Sequence, residues 1–172
     1  MASMKMDLPV EKTELGLIGS VYALSIGGEL GPKDGTDWAR FRIGMGIEDD
    51  APAKRWDLQI GLLPKESIDR MQLEGRKICP GFCGDNVCTE SLDFDTIEVG
   101  HLIEIGEATL LVTQKGKTCV RECASEEPCC LANEWTYARV IKGGQVCVSD
   151  EIRVLRPGID VVPKFSQAAL KK

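Results

Sequence analysis

A mainly β barrel with one or two short helices is the fold the sequence predicts. Three observations carry that prediction. Apolar, β-branched runs of strand length recur along the chain, Gly- and Pro-rich stretches separate them, and only one segment has the spacing and end signals of a helix. At 172 residues the chain has the length of one domain and can bury a real core. Residues 1–172 therefore read as a single domain, with a core at about 15–155 and a tail at 156–172.

The elements follow in order. LGLIGSVYALSI (15–26) is apolar and β-branched and predicts a strand. GGELGPKDG (27–35) is dense in Gly and Pro and predicts a loop. DWARFRIGMGI (37–47) partly alternates and predicts a second strand, EDDAPAKR (48–55) a charged loop, and WDLQIGLL (56–63) a third strand. PKESIDRMQLEG (64–75) is the helix: Pro64 opens it, Ile68, Met71 and Leu73 give its apolar positions, and Gly75 stops it. CPGFCGDN (79–86) predicts a loop. TIEVGHLIEIGEATLLVTQ (96–114) predicts two strands joined at Gly106-Glu107. WTYARVIKGGQVCVSDEIRVL (135–155) repeats that form, with KGG as the turn. The tail carries Pro157 and Pro163 and ends in a helix-like SQAALKK.

Charge excludes one class of partner. The net charge is −6, and no basic face is visible for nucleic-acid phosphates. No apolar run reaches the length of a membrane span, and MASMKMDLPVEKTELG lacks the apolar core of a signal peptide. The expected compartment is the cytoplasm, where thiols stay reduced.

Eight cysteines are then the chemistry to explain. Four of them, Cys119, Cys123, Cys129 and Cys130, fall in GKTCVRECASEEPCC (116–130). Their C-x3-C-x5-C-C spacing is not the C-x2-C knuckle of structural zinc sites, although a zinc or iron–sulfur site remains open. So do a redox or resolving role for Cys123 and plain burial. Cys79, Cys83 and Cys88 form a second group, C-x3-C-x4-C. Cys147 alternates with Val146 and Val148 and reads as packing. Lys115, Lys117 and Arg121 flank Cys119, and nearby cations favour the thiolate. His101, the only histidine, reads as a partly exposed strand residue, which leaves Cys-His catalysis poorly supported. Asp49-Asp50, Asp93, Asp95 and Glu98 read as solvated surface, without the spacing of a calcium loop.

The ordered series in GDNVCTESLDFDTIEVGHLIEIGEATLLVTQKGKTC (84–119) resembles the MOSC domain family, named for the C-terminal domain of molybdenum cofactor sulfurase. That family tends to read Gly-Glu-Asn, Thr-Thr, Leu-Asp, a Val-Gly step, an Ile-Gly step and a Cys after a basic stretch. Here Gly84, Asp85 and Asn86 stand for the first piece, followed by Thr89, Leu92-Asp93, Val99-Gly100, Ile105-Gly106 and Cys119. Residues 136–152 resemble the closing strand pair, and 55–71 the strand and helix upstream. Asp85 replaces a Glu, Cys88 a Thr and Ser149 a Gly. Asp50-Ala51-Pro52 lacks the family's His, and Val120 stands where the cysteine-rich branch has one.

The resemblance implies a MOSC-like β-barrel that handles the molybdenum cofactor or its sulfur. It implies Cys119 as the functional thiolate, ligating molybdenum or carrying a persulfide, with Cys123 as a second metal ligand. It implies Gly84, Asp85, Asn86, Lys117 and Arg121 around the cofactor, and that the loop holding Cys79, Cys83 and Cys88 meets the Cys119 segment. A sulfur carrier or sulfurtransferase, a cofactor-dependent reductase, and a cysteine-rich zinc or iron–sulfur protein without catalysis all stay open. The expected partners are the cofactor and the proteins that make or accept it.

Overall fold

Strand follows strand around a closed barrel. The structure, a computed structural model, describes residues 13–52, 55–117 and 130–156. Its strands are β1 (Thr13–Ile26), β2 (Asp34–Thr36), β3 (Trp38–Arg42), β4 (Gly46–Ile47), β5 (Ile60–Pro64), β6 (Val87–Glu90), β7 (Leu102–Ile105), β8 (Ala108–Lys115), β9 (Thr136–Lys142), β10 (Gly144–Cys147) and β11 (Glu151–Arg156). The helices are α1 (Lys65–Leu73) and α2 (Cys130–Glu134). Seven strands run in the order β11-β7-β8-β9-β5-β6-β1, and β1 pairs back onto β11 to close the ring. Closure removes the unpaired edges that an open sheet would expose. β2 extends from β1, and β10-β3-β4 forms a small separate sheet.

Only one pairing among the described strands, β5 with β6, is parallel. A parallel pair cannot be joined by a tight turn. The connection is therefore α1 and the 79–86 loop, which leaves both packed outside the barrel wall. Pro64 supplies the N-terminal boundary at φ −73°, because proline fixes φ where no intrahelical N–H is needed.

Two apolar clusters result. Inside the barrel, Ile60, Leu62, Val87, Leu110, Ala138 and Val154 are among the fully buried residues. Outside it, Leu63, Ile68, Met71, Cys88, Leu131 and Trp135 seal α1 and α2 onto β5 and β6, with Cys83 and Tyr137 at the margin.

Several expectations need correction. Residues 37–47 are not one strand but β3 and β4 around a turn, because Gly44 and Gly46 have positive φ and Met45 N–H bonds back to Arg42 O at 3.3 Å. The 56–63 strand begins only at Ile60, since Leu58 N–H closes a turn on Arg55 O at 3.0 Å. The 96–114 pair begins at Leu102, after a 3-10 turn at Phe94–Thr96. β2, β6 and α2 were not foreseen.

KGG is not a hairpin turn. β9 pairs with β8 and β5, whereas β10 pairs with β3 in the other sheet. The glycines are needed for close approach instead. A Cβ on Gly143 would lie 2.8 Å from Phe41 O, and one on Gly144 2.5 Å from Glu107 Cβ. Within β10 it is Val146 that is buried, while Cys147 is half-buried. His101 lies before β7 and is buried, with Nδ1 accepting the Glu98 N–H at 3.1 Å.

Candidate functional site

Loop 79–86 leaves α1 and enters β6 on the outer wall, and its shape depends on glycine. Gly81 has φ +84°, and a Cβ there would lie 2.6 Å from Lys33 O and 2.7 Å from Ser25 Oγ. Its carbonyl accepts from Lys33 N at 2.9 Å, and its N–H donates to Asp85 Oδ2 at 2.9 Å. Gly84 has φ +88° and donates its N–H to Gly81 O at 3.0 Å.

These bonds place Asp85 inside, only 1% exposed. Its second oxygen, Oδ1, is buried with no hydrogen-bond partner among the described residues. Burial pushes the carboxyl up from its ordinary range, against the Gly81 N–H and the cations of Lys117 and Lys33, which pull it down. A buried acceptor left unmatched is costly to the fold.

Asn86 has a different job. Its Oδ1 accepts from Gly61 N at 3.1 Å, and its Nδ2 donates to Ser25 O at 3.3 Å and to Asp50 Oδ2 at 2.8 Å. Asp50 in turn holds the Gly27 N–H at 3.0 Å and the Lys33 ammonium at 2.6 Å, with both charged side chains under 10% exposed. Asp50 is thus a buried, fully engaged ion-pair partner, contrary to the solvated surface expected of it. The Asn86 carboxamide and this pair lock the loop onto β1 and β5.

Lys117 reaches the same place from β8. The chain end of that strand is held by two bonds, Gly116 N to Trp135 O at 2.6 Å and Lys117 N to Ala132 O at 2.8 Å. Its ammonium sits 3.4 Å from the centroid of the buried Trp135 ring and donates to Cys83 O at 3.2 Å. Trp135 in turn covers Gly61, where a Cβ would lie 2.6 Å from ring atom Cζ2. Its indole Nε1 is a second buried group with no partner among the described residues. Leu131 of α2 packs in the same cluster as Trp135.

Of the predicted site residues, Gly84, Asp85, Asn86 and Lys117 are brought together. Cys119, Cys123 and Arg121, with Cys129, lie outside the described residues. Lys115 is directed elsewhere: its ammonium donates to Phe94 O at 2.7 Å. Among the thiols, Cys79 is exposed, Cys83 half-buried and Cys88 buried. Burial, then the charges of Asp85, Glu66 and Asp69, push the Cys88 thiol far up, so it stays protonated and a poor nucleophile or ligand. Among the described residues no group of three or more His, Cys, Asp or Glu is placed to hold a metal ion. Sequence reasoning missed Lys33, Asp50 and Trp135. Lys33 and Trp135 sit in no spacing motif, and Asp50, though it stands in the Asp-Ala-Pro stretch, is singled out only by its three-dimensional contacts.

Comparison with solved structures bears on the fold. The YuaD protein of Bacillus subtilis is 19% identical with a TM-score of 0.68, over 86% of this chain and 98% of that one. YiiM of Geobacillus stearothermophilus is 17% identical with a TM-score of 0.62, over 83% and 77%. YiiM of Escherichia coli is 19% identical with a TM-score of 0.58, over 78% and 69%. What the chain shares with them is the fold. No protein-family model matches the chain, and no curated protein matches it.

Proposed function

We propose that this chain is a molybdenum-cofactor-associated MOSC module whose Cys119 works as a thiolate, carrying sulfur to the cofactor or ligating its metal. One observation carries the reading. The Gly84–Asn86 loop and the end of β8 meet, with Lys117 on Cys83 and Trp135 and within electrostatic reach of Asp85. Cys119 is two residues further on. The MOSC-like fold supports the same reading.

The residues present fit a pterin cofactor. Asp85 Oδ1 is a buried acceptor without a partner among the described residues, suited to ring N–H donors, and Lys117 supplies a cation beside it. When bound, the cofactor would bring a soft, redox-active metal. Asp85, Lys117 and Arg121 would hold its organic part, with Cys119 and, second, Cys123 facing the metal. Gly84 and Asn86 fix the loop that presents Asp85. In the sulfur-carrying form, Cys119 holds a persulfide and passes it on, and Lys117 stabilises the thiolate left behind. The natural partners are then cofactor-synthesising or cofactor-accepting proteins in a reducing cytoplasm.

The test is protein purified without oxygen and assayed for molybdenum, pterin and cyanide-reactive sulfur. At least one of these at a fixed ratio to the chain is expected. Zinc at fixed stoichiometry with none of the three would overturn the proposal in favour of a structural metal site.

A further inference from the structure

Residues 91–101 join β6 to β7 across one end of the barrel and send Leu92, Phe94 and Ile97 into the interior cluster. At that end β8 finishes and β9 begins. Lys115 lies directly opposite Thr136, and Thr136 lies opposite Leu62 of β5. Residues directly opposite on neighbouring strands share a face of the sheet, and Leu62 belongs to the interior. The Thr136 side chain therefore faces inward beside Lys115. It is fully buried, and its hydroxyl has no hydrogen-bond partner among the described residues. Thr89, on the other side of β5, repeats the arrangement. It lies opposite Pro64 and the interior Val21, fully buried, with its hydroxyl also unpartnered among those residues.

Lys115 takes the same inward direction. Its ammonium donates to Phe94 O at 2.7 Å and lies 5.3 Å from the centroid of that ring. This acceptor is neutral. Asp93 and Asp95 act on Lys115 through space, and no ion pair forms with either among the described residues. His101 lies within electrostatic reach of both Lys115 and Arg156, so positive charge gathers at this end of an acidic chain. An ammonium has three N–H donors, and the Phe94 bond uses one of them. The Thr136 hydroxyl beside it has a proton to give. A ligand that meets both groups has to accept hydrogen bonds, and a negative one also answers the charge.

We propose that this end of the barrel binds a small tetrahedral oxyanion, of the phosphate or sulfate type, between the Lys115 ammonium and the Thr136 hydroxyl. The site is separate from the outer-wall loop of Asp85 and independent of the function proposed above. The Phe94 bond can persist, because the ion takes N–H groups of Lys115 that this bond leaves over.

The full chain is titrated with sodium phosphate, sodium sulfate and, at matched ionic strength, sodium chloride. The imidazole signal of His101, the only histidine, is followed by proton NMR. A negative charge beside Lys115 favours the imidazolium, so saturating oxyanion should raise the apparent pKa of His101, and chloride should not. Thr136→Val keeps the shape and removes the hydroxyl. It should bind phosphate about tenfold more weakly, with a melting temperature equal to or above the parent's in the absence of the ion. Lys115→Met should lose the saturable shift and Lys115→Arg should keep it. A parallel titration with ribose 5-phosphate distinguishes the source: tighter binding than inorganic phosphate assigns the site to a phosphate group on a larger molecule, and equal or weaker binding assigns it to the free ion. A response to phosphate and sulfate no larger than that to chloride is screening alone and overturns the inference. Parental affinity in Thr136→Val, or a saturable shift that survives in Lys115→Met, overturns it as well. Should Lys115→Met fail to fold, Thr136→Val decides the question by itself.

Discussion

Asp85 places a cost to stability in one buried side chain. Burial raises its pKa, while the bond from Gly81 and the two lysine cations only partly oppose that. A group whose folded pKa lies above its ordinary 3.8 stabilises the fold below that value and loses the contribution as pH rises through the folded pKa. Ionising this carboxyl in the folded chain is therefore a cost. Asp85→Asn should melt above the parent at pH 7, and the difference should shrink toward pH 4. A variant that melts below the parent at pH 7 would contradict this account of the carboxyl.

His101 shows the opposite sign. Burial, with Arg156 and Lys115 adding to it, lowers its pKa below 6.5 against the pull of Glu98. The neutral ring accepts the Glu98 N–H at Nδ1. Its contribution is present above pH 6.5 and is lost as pH falls through the lower folded value. As the chain's only histidine, it gives one resolvable imidazole signal by proton NMR. The apparent pKa of that signal should lie below 6.5, and a value at or above it would refute the burial argument.

At the scale of elements, Gly61 joins fold to site. It lies in β5, donates its N–H to Asn86 Oδ1, and lies against the Trp135 ring that carries Lys117. Gly61→Ala must push that ring by several tenths of an ångström or more. A cost of about 1–3 kcal/mol is expected, as for other overpacked sites, with a shifted tryptophan emission. An unchanged melting temperature and spectrum would mean that the ring does not lie on β5.

The elements also show why the sequence was only partly legible. α1 could be read, because Pro64, the apolar spacing of Ile68 and Met71, and the stop at Gly75 all act locally. β7 and β8 were legible through their apolar runs and the tight Gly106-Glu107 turn. β6 was not, because VCTE is four residues long and owes its strand conformation to parallel pairing with β5. The KGG turn misled for a related reason: a glycine pair reads as a hairpin locally, yet here it lets two sheets pass close to each other. At the site, Gly84, Asp85, Asn86 and Lys117 were legible through their ordered motif. Lys33, Asp50 and Trp135 were not, since their roles arise from contacts across 17 to 36 positions for the first two and from the ring's place on Gly61 for the third.

The described residues form a closed seven-strand barrel that carries a small three-strand sheet, with the candidate site on the outer wall. Closure makes each strand depend on both neighbours, so unfolding should be a single cooperative transition with coincident fluorescence and circular dichroism curves. The far-ultraviolet spectrum should be dominated by strand. Two separated transitions would show that the outer cluster of α1, α2 and Trp135 folds apart from the barrel. Among the described residues no helix is long and apolar enough to cross a membrane. The barrel itself is filled by side chains such as Leu62, Leu110 and Val154, none exposed. A packed interior leaves chemistry to the wall, where Asp85, Lys117 and Cys83 lie.

The central claim is that Cys119 is the thiolate this wall serves, and cyanide-reactive sulfur per chain in Cys119→Ser tests it most directly. Parent and variant are loaded with glutathione persulfide without oxygen and compared beside their melting curves. The account predicts that the variant loses at least nine-tenths of the parent's loaded sulfur while its melting temperature stays within about 2 °C, well under the shift of a disturbed core site. A variant that loads sulfur like the parent, or one that loses its fold together with its sulfur, would contradict it.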